Sequence, residues 1–192
     1  MERFLTELKR TNYCGELNLD NKDQNVVLMG WVDGRRDHGG LIFLDLRDRT
    51  GLVQVVVNPG EESLRIGKEV RNEFVLAIKG KVNARPDAMV NKNLPTGAIE
   101  VETERLEILS KAETLPFQPD DPKVSDMLRL KYRYLDLRAP RIQNYMKTRH
   151  EATRAARNSL ADRGFYEIET PIMYKSTPEG ARDYIVPSRV HP

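Results

Sequence analysis

An aromatic residue and an amide residue on neighbouring predicted strands could recognise an unpaired base. Phe43 lies between charged residues on one face of the predicted strand 41–47, and Gln54 projects from the next strand, 52–57. An exposed aromatic ring that stacks on a base contributes roughly 1–3 kcal/mol. A glutamine amide carries both a donor and an acceptor for a base edge. These residues predict a single-stranded RNA site. The alternative is that Phe43 packs under a loop and Gln54 is only a surface residue.

Arginines close to these two residues in the sequence could add contacts to phosphates or stack on bases. They are Arg35, Arg36, Arg47 and Arg49. Nearby acids offset their charge: Asp33, Asp37, Asp45 and Asp48. The region is therefore not a basic patch, and any recognition of RNA there must depend on specific contacts.

The elements that would position these side chains follow a strand pattern from Val26 to Leu109. Five strands are predicted, at 26–32, 41–47, 52–57, 74–82 and 98–109, with one helix at 61–71. Asp33-Gly34 and Gly39-Gly40 mark turns or bulges near the end of the first strand. This order predicts an all-β, five-stranded OB-fold barrel with one helix over residues 1–109. An SH3-like barrel or a small sandwich is the alternative.

The second part of the chain has a different pattern. Prolines and paired acids predict a hinge or linker over 110–140. A helical period follows over 142–163, with Gly164 at the position of a C-terminal cap. Apolar and polar side chains alternate over residues 165–170, as they do in a β-strand. One helix and one strand cannot form a core, so we expect 141–192 to be the truncated start of a larger domain.

Composition excludes several classes of protein. The chain has 192 residues, 31 Lys and Arg against 29 Asp and Glu, and one cysteine. Neither a disulfide framework nor a zinc site is expected, and no metal ligands are predicted. Apolar runs fall far short of the ~20 residues that span a bilayer, and the N-terminus does not resemble a signal peptide. We therefore expect a cytoplasmic protein without membrane contact.

The balanced charge conceals an uneven distribution. Between Arg129 and Arg157 there are nine Lys and Arg residues and two acids. Such a segment is compatible with nucleic-acid binding. A solvated helix face or ion pairs between subunits are the alternatives.

Several segments resemble one enzyme family. Residues 130–138 (LKYRYLDLR) resemble the hinge signature of lysyl-, asparaginyl- and aspartyl-tRNA synthetases. Residues 164–171 (GFYEIETP) are similar to motif 1 of class II aminoacyl-tRNA synthetases, and residues 177–184 (TPEGARDY) narrow the resemblance to bacterial-type aspartyl-tRNA synthetases. Segments in 30–55 resemble that family's anticodon-binding OB domain. The resemblance implies that 141–192 begins a class II catalytic domain, an α+β antiparallel-sheet fold that opens with a long helix and a strand.

The resemblance also implies roles for single residues. Glu179 matches the carboxylate that binds the α-ammonium group of L-aspartate, and Pro171 would belong to the homodimer interface. Five residues match positions that contact the tRNA anticodon: Arg36, Phe43, Gln54, Arg85 and Glu100.

Two loop residues depart from the pattern of enzymes restricted to the aspartate tRNA. Those enzymes tend to have Leu where this chain has His38 and Lys where it has Ala88. Enzymes that also charge the asparagine tRNA often have His and a small residue there. The resemblance therefore implies a non-discriminating enzyme; the alternative is that His38 is an ordinary loop residue.

The implied reaction uses ATP and Mg²⁺ to activate L-aspartate as aspartyl-adenylate, which is then transferred to the tRNA 3′ end. Motifs 2 and 3 of the class, which carry the ATP phosphates and magnesium, are not found in these 192 residues. We therefore expect no catalytic residue and no bound cofactor in this chain, and no adenylate formation by it alone. A lysyl- or asparaginyl-type synthetase and a stand-alone OB-fold RNA-binding module are the alternative functions.

Overall fold

Five strands and one helix account for most of residues 25–110 in the computed structural model, which describes residues 8–58, 61–175 and 184–190. The elements are β1 (Asn25–His38), β2 (Leu41–Arg47), β3 (Leu52–Val57), α1 (Glu61–Glu69), β4 (Val75–Ala84) and β5 (Ile99–Ser110). They belong to the first of two units into which the chain divides, Met1–Pro116 and Phe117–Pro192.

The strands close into a barrel in the order β1-β2-β3-β5-β4, with β4 pairing back onto β1. The pairing of β3 with β5 is parallel and short, and it joins Val55 to Val101 and Val56 to Glu102. All the other pairs in the barrel are antiparallel. This topology confirms the predicted OB fold and not the alternative barrel or sandwich.

Strict alternation along β2 and β3 sends one set of side chains into the barrel. Ile42, Leu44 and Leu46 have no solvent exposure. Val53 and Val55 are likewise fully buried. Because successive side chains point to opposite sides of a strand, the residues between them face outward. The apolar alternation therefore decides which residues the barrel presents to a ligand.

A two-residue turn joins β1 to β2. Gly39 and Gly40 have φ values of +63° and +97°, and His38 pairs with Leu41 on either side of them. Positive φ at both central residues is the pattern of a type I′ hairpin turn, which glycine adopts without steric cost. The Asp33-Gly34 signal proves to be a bulge, between Val32 and Gly34. Since a bulge bends a strand without ending it, β1 continues to His38, beyond the predicted end at residue 32.

The described residues of the second unit contain three helices: α2 (Asp126–Lys131), α3 (Arg133–Asp136) and α4 (Pro140–Ala161). Asp136 is 1% exposed, and its carboxylate accepts hydrogen bonds from Arg129 at 2.9 Å and from Arg133. The Arg129–Asp136 pair connects α2 to α3, and the Arg133–Asp136 pair lies within α3. The segment predicted to be a hinge is therefore partly helical and is organised around one buried acid.

The end of α4 confirms the predicted glycine cap. Gly164 has a φ of +84°, its N–H bonds the carbonyl of Ala161, and the N–H of Phe165 bonds the carbonyl of Leu160. These two bonds form a Schellman motif, in which a left-handed glycine satisfies the last helical carbonyls.

The strand predicted at residues 165–170 is not formed. A β-strand requires hydrogen bonds to a neighbouring strand. The described part of the second unit contains no strand that could pair with this segment. Its side chains are exposed, as those of Phe165 and Ile168 illustrate. In the described ranges, no helix is both long enough and apolar enough to cross a membrane.

Candidate nucleic-acid interface

The residues predicted to contact the anticodon lie on neighbouring strands, on the outer face of the barrel. Arg36 on β1 pairs with Phe43 on β2, and Phe43 pairs in turn with Val56 on β3. Asp45 pairs with Gln54 in the next outward row. Facing residues on neighbouring strands are within side-chain contact distance. Phe43 and Gln54 are therefore diagonal neighbours on the same outward face of β2 and β3.

Hydrogen bonds link side chains on four strands of this face. The Nη2 atom of Arg36 donates to both Asp45 Oδ1, at 2.8 Å, and Gln54 Oε1, at 3.2 Å. Gln54 Nε2 then donates to Glu100 Oε2 on β5 at 3.0 Å. A reversed amide would place its NH₂ against a cation and its oxygen against a carboxylate. The charges on either side thus determine which way the Gln54 amide points.

Arg85 joins this set from the start of the loop between β4 and β5. Its side chain is 5% exposed, Nε donates to the carbonyl of Ile99 at 2.9 Å, and Nε lies 3.7 Å from Glu100 Oε2. The Nη2 atom is buried and has no hydrogen-bond partner. Burial lowers the pKa of Arg85, while the nearby carboxylates of Glu100 and Asp45 oppose this shift. Because an arginine remains protonated in proteins, the buried cation holds Glu100 against the face of the barrel.

Asp45 is a partly buried carboxylate that is paired with Arg36. Burial raises the pKa of Asp45, and the charge of Arg36 partly compensates for that effect. Desolvation disfavours a carboxylate, whereas a neighbouring cation favours it. Burial and the contact with Arg36 therefore act on the pKa of Asp45 in opposite directions.

The two loop residues linked to tRNA choice differ in their surroundings. The His38 ring meets the Phe43 ring edge-on, with centroids 5.9 Å apart, at the end of β1. Ala88 is exposed in a 3₁₀ turn, Asp87–Met89, three residues after Arg85 in the same loop. The structure thus brings His38 against Phe43, and it brings Arg36, Phe43, Gln54, Arg85 and Glu100 together.

A second polar cluster on this face was not anticipated. Asn58 donates through Nδ2 to Glu102 Oε1, and Asn83 donates through Nδ2 to Glu102 Oε2 at 2.7 Å. Glu102 is two residues after Glu100 on β5, so both carboxylates face the same side. That spacing is visible in the sequence, but contacts across 44 and 19 residues are not.

Two other predicted residues lie away from this cluster in sequence. Pro171 is exposed in the second unit. Glu179 falls outside the described residues. Within the described ranges, no group of three or more His, Cys, Asp and Glu side chains could hold a metal ion.

Two sequence families match the chain in turn. Residues 26–109 match the family described as an OB-fold nucleic acid binding domain. Residues 125–192 match the family described as tRNA synthetases class II (D, K and N). An OB barrel with an outward polar face, followed by a segment that matches this synthetase family, makes the chain similar to the class II tRNA synthetases.

Within that class, the similar curated proteins are aspartate–tRNA ligases. The aspartate–tRNA ligase of Listeria welshimeri is 60% identical over 187 residues, which is 96% of this chain and 32% of that protein. The aspartate–tRNA(Asp/Asn) ligase of Halothermothrix orenii is 51% identical over 195 residues, 100% of this chain and 33% of that protein. The chain therefore spans about a third of the length of these relatives.

Solved structures agree with the fold. The asparaginyl-tRNA synthetase of Pyrococcus horikoshii complexed with asparaginyl-adenylate has a TM-score of 0.75 and 32% identity, covering 86% of this chain and 37% of that one. The aspartyl-tRNA synthetase of Entamoeba histolytica has a TM-score of 0.78, covering 88% of this chain and 40% of that one; at 24% identity it supports the fold alone.

Proposed function

We propose that residues 26–109 bind the anticodon loop of a tRNA. The observation that carries this proposal is the hydrogen-bonded chain Arg36–Gln54–Glu100 on the same outward face as Phe43. An unpaired base stacks on the Phe43 ring, and its edge pairs with the remaining N–H and lone pair of the Gln54 amide. Glu100 and Asp45 repel phosphates, so the face favours a base over the RNA backbone.

Arg36 and Arg85 have different parts in this proposal. Arg36 is half-exposed and can contact both a base and the adjacent phosphate. Arg85 is buried and holds Glu100 in place, so its effect on RNA is exerted mainly through that carboxylate.

We propose further that the whole protein is an aspartate–tRNA ligase. It activates L-aspartate with ATP as aspartyl-adenylate and transfers the aspartyl group to the 3′ end of tRNA. The names of relatives at 51–60% identity support this activity. Synthetases of this family use ATP and Mg²⁺; we assign no residue of this chain to either group. Glu179 is proposed to bind the α-ammonium group of L-aspartate by a charge-assisted hydrogen bond.

The same proposal gives each part of the chain a task. Residues 1–109 read the anticodon, 110–140 form the hinge, and 141–192 begin the catalytic domain. Pro171 and the helix before it contribute to a homodimer interface. The protein works in the cytoplasm. Because motifs 2 and 3 are not found in these 192 residues, we expect the chain alone to show no ATP–pyrophosphate exchange. Robust exchange by the 192-residue chain would contradict that expectation.

The experiment that tests anticodon binding uses the 192-residue chain and labelled RNA. Fluorescence anisotropy compares the anticodon stem-loop of the aspartate tRNA with a single strand of the same length and arbitrary sequence. We expect clearly tighter binding of the stem-loop. Equal affinity for both would instead support a general single-strand-binding OB module.

We also propose that the enzyme charges the asparagine tRNA. A relative named for one tRNA is 56% identical and a relative named for both is 55% identical, so identity alone does not decide between them. The contact between the rings of His38 and Phe43 supports the proposal, because it places the loop residue beside the stacked base. Aminoacylation of an asparagine-tRNA transcript by the full-length enzyme is the test. No charging above background refutes the proposal.

A further inference from the structure

A row of outward residues crosses the barrel next to the Gln54–Glu100 pair. Phe43 pairs with Val56, and Val56 pairs with Glu102. Glu102 is thus two strands away from the ring of Phe43, or about 10 Å at the usual strand spacing. Val56 between them is apolar and 8% exposed. A nucleotide adjacent to the one stacked on Phe43 therefore meets the Glu102 carboxylate.

The surroundings of Glu102 set its hydrogen-bonding character. Asn58 donates to one carboxylate oxygen and Asn83 to the other. A carboxylate has about four lone-pair sites, so two acceptors remain after these bonds. Each amide uses one N–H on Glu102, and the ionised carboxylate itself can only accept hydrogen bonds.

The charge of the cluster excludes the RNA backbone as its partner. Lys81, which pairs with Glu102 in the sheet, is already held by Asp23 at 2.7 Å. A carboxylate whose neighbouring cation is engaged elsewhere repels a phosphate, yet it accepts readily from an amino group on a base.

We propose that Glu102, oriented by Asn58 and Asn83, recognises a base that flanks the one stacked on Phe43 and that presents an amino group. Guanine, cytosine and adenine carry an exocyclic amino group with two N–H donors, whereas uracil has no amino group and offers only its single N3–H. The inference depends on the proposed anticodon binding by this face and adds a second specificity-determining position to it. Gln54 recognises the edge of the base stacked on Phe43, and Glu102 recognises the edge of the base that flanks it.

The test uses the 192-residue chain and a set of stem-loops with one constant central anticodon base. Each flanking base is changed in turn to uracil, and affinity is measured by fluorescence anisotropy. At one flanking position we expect uracil to weaken binding roughly tenfold. In Glu102→Gln an amide NH₂ replaces one acceptor oxygen, so this preference should fall to about twofold or less.

Glu104→Gln is the matched control. This substitution removes the same charge from the same strand. Glu104 is exposed, and its ion pair with Lys79 is long, at 4.0 Å. The substitution should leave the flanking preference unchanged. Asn83→Ala keeps the Glu102 charge while removing one of its two anchors, and we expect a partial loss of the preference. Trp31 fluorescence during urea unfolding reports whether each variant keeps its barrel.

The outcomes separate this inference from the proposed function. If Phe43→Ala weakens binding and Glu102→Gln leaves the flanking preference intact, the second specificity position is wrong and anticodon binding stands. If Glu102→Gln and Glu104→Gln change the affinity for all stem-loops by the same factor, Glu102 acts only through its charge and the inference is overturned. If Phe43→Ala has no effect on any stem-loop, both proposals fail.

Discussion

Gln54 Nε2 donates a hydrogen bond to Glu100 Oε2 at 3.0 Å, although 46 residues separate the two side chains in the sequence. The bond holds the amide in one orientation and leaves one N–H and one lone pair available. A preoriented amide loses less entropy on pairing with a base than a freely rotating one. Four predictions concern this bond, the ring of Phe43, and the contacts that Glu73 and Asp48 make within the barrel.

Gln54→Glu should reduce affinity for the anticodon stem-loop about 10- to 100-fold, because it sets two carboxylates against each other and removes the amide donor. Anisotropy titration of the 192-residue chain measures the change. Gln118→Glu adds the same charge at an exposed position in the second unit and should have little effect. Equal losses in the two variants would show a charge effect alone.

Phe43→Ala should cost roughly 1–3 kcal/mol of RNA-binding free energy, the usual value of one stacked base. Phe43→Tyr keeps a π-face and should retain most of the affinity. Because stacking releases no counterions, the dependence of affinity on salt should be the same in all three proteins. A steep change in that dependence would indicate that Phe43 acts through neighbouring arginines and not through stacking.

Glu73→Ala should lower the free energy of unfolding by about 1–3 kcal/mol, the value of hydrogen bonds to a charged group. The Glu73 side chain is 8% exposed and accepts from Arg47 Nη2 at 2.9 and 3.0 Å. Urea unfolding followed by the single tryptophan, Trp31 on β1, measures the effect. The control is Glu69→Ala, which removes an exposed acid and should cost under about 1 kcal/mol.

Asp48→Asn should destabilise the barrel more at about pH 6 than at about pH 3. Partial burial opposes ionisation of Asp48, but hydrogen bonds from the Cys14 backbone and from Thr50 outweigh it and lower the pKa of this carboxyl. The lengths of these bonds are 2.7 Å from Cys14 N and 2.8 Å from Thr50 N. A carboxyl with a lowered folded-state pKa stabilises the fold above its unfolded pKa and loses that effect as pH falls through the folded value.

Urea unfolding of wild type and Asp48→Asn at the two pH values measures this difference. The gap between their unfolding free energies should narrow on acidification. A gap that is constant with pH contradicts the proposed role of the ionised carboxylate and leaves only a neutral hydrogen-bonding role for Asp48.

Local patterns predicted most of the elements because the causes are local. Alternation along β2 needs only neighbouring residues, and the Gly39-Gly40 turn and the Gly164 cap need only glycine at left-handed φ. The bulge at Gly34 was visible as a signal, but whether it ends or only bends β1 depends on pairing with β2. The segment 165–170 shows the same limit, since alternation predicts a strand and only a neighbouring strand can complete it.

The amino-acid sequence alone determined that Phe43 and Gln54 face outward, and its motifs indicated a class II tRNA synthetase. Only the tertiary structure decided that Glu100 holds the Gln54 amide, that Arg85 is buried behind Glu100, and that Asn58 and Asn83 orient Glu102. Outward or inward placement follows from a two-residue period within one strand. The hydrogen bonds depend on the closing of the barrel, which brings β5 against β3 and thereby unites side chains that are more than 40 residues apart.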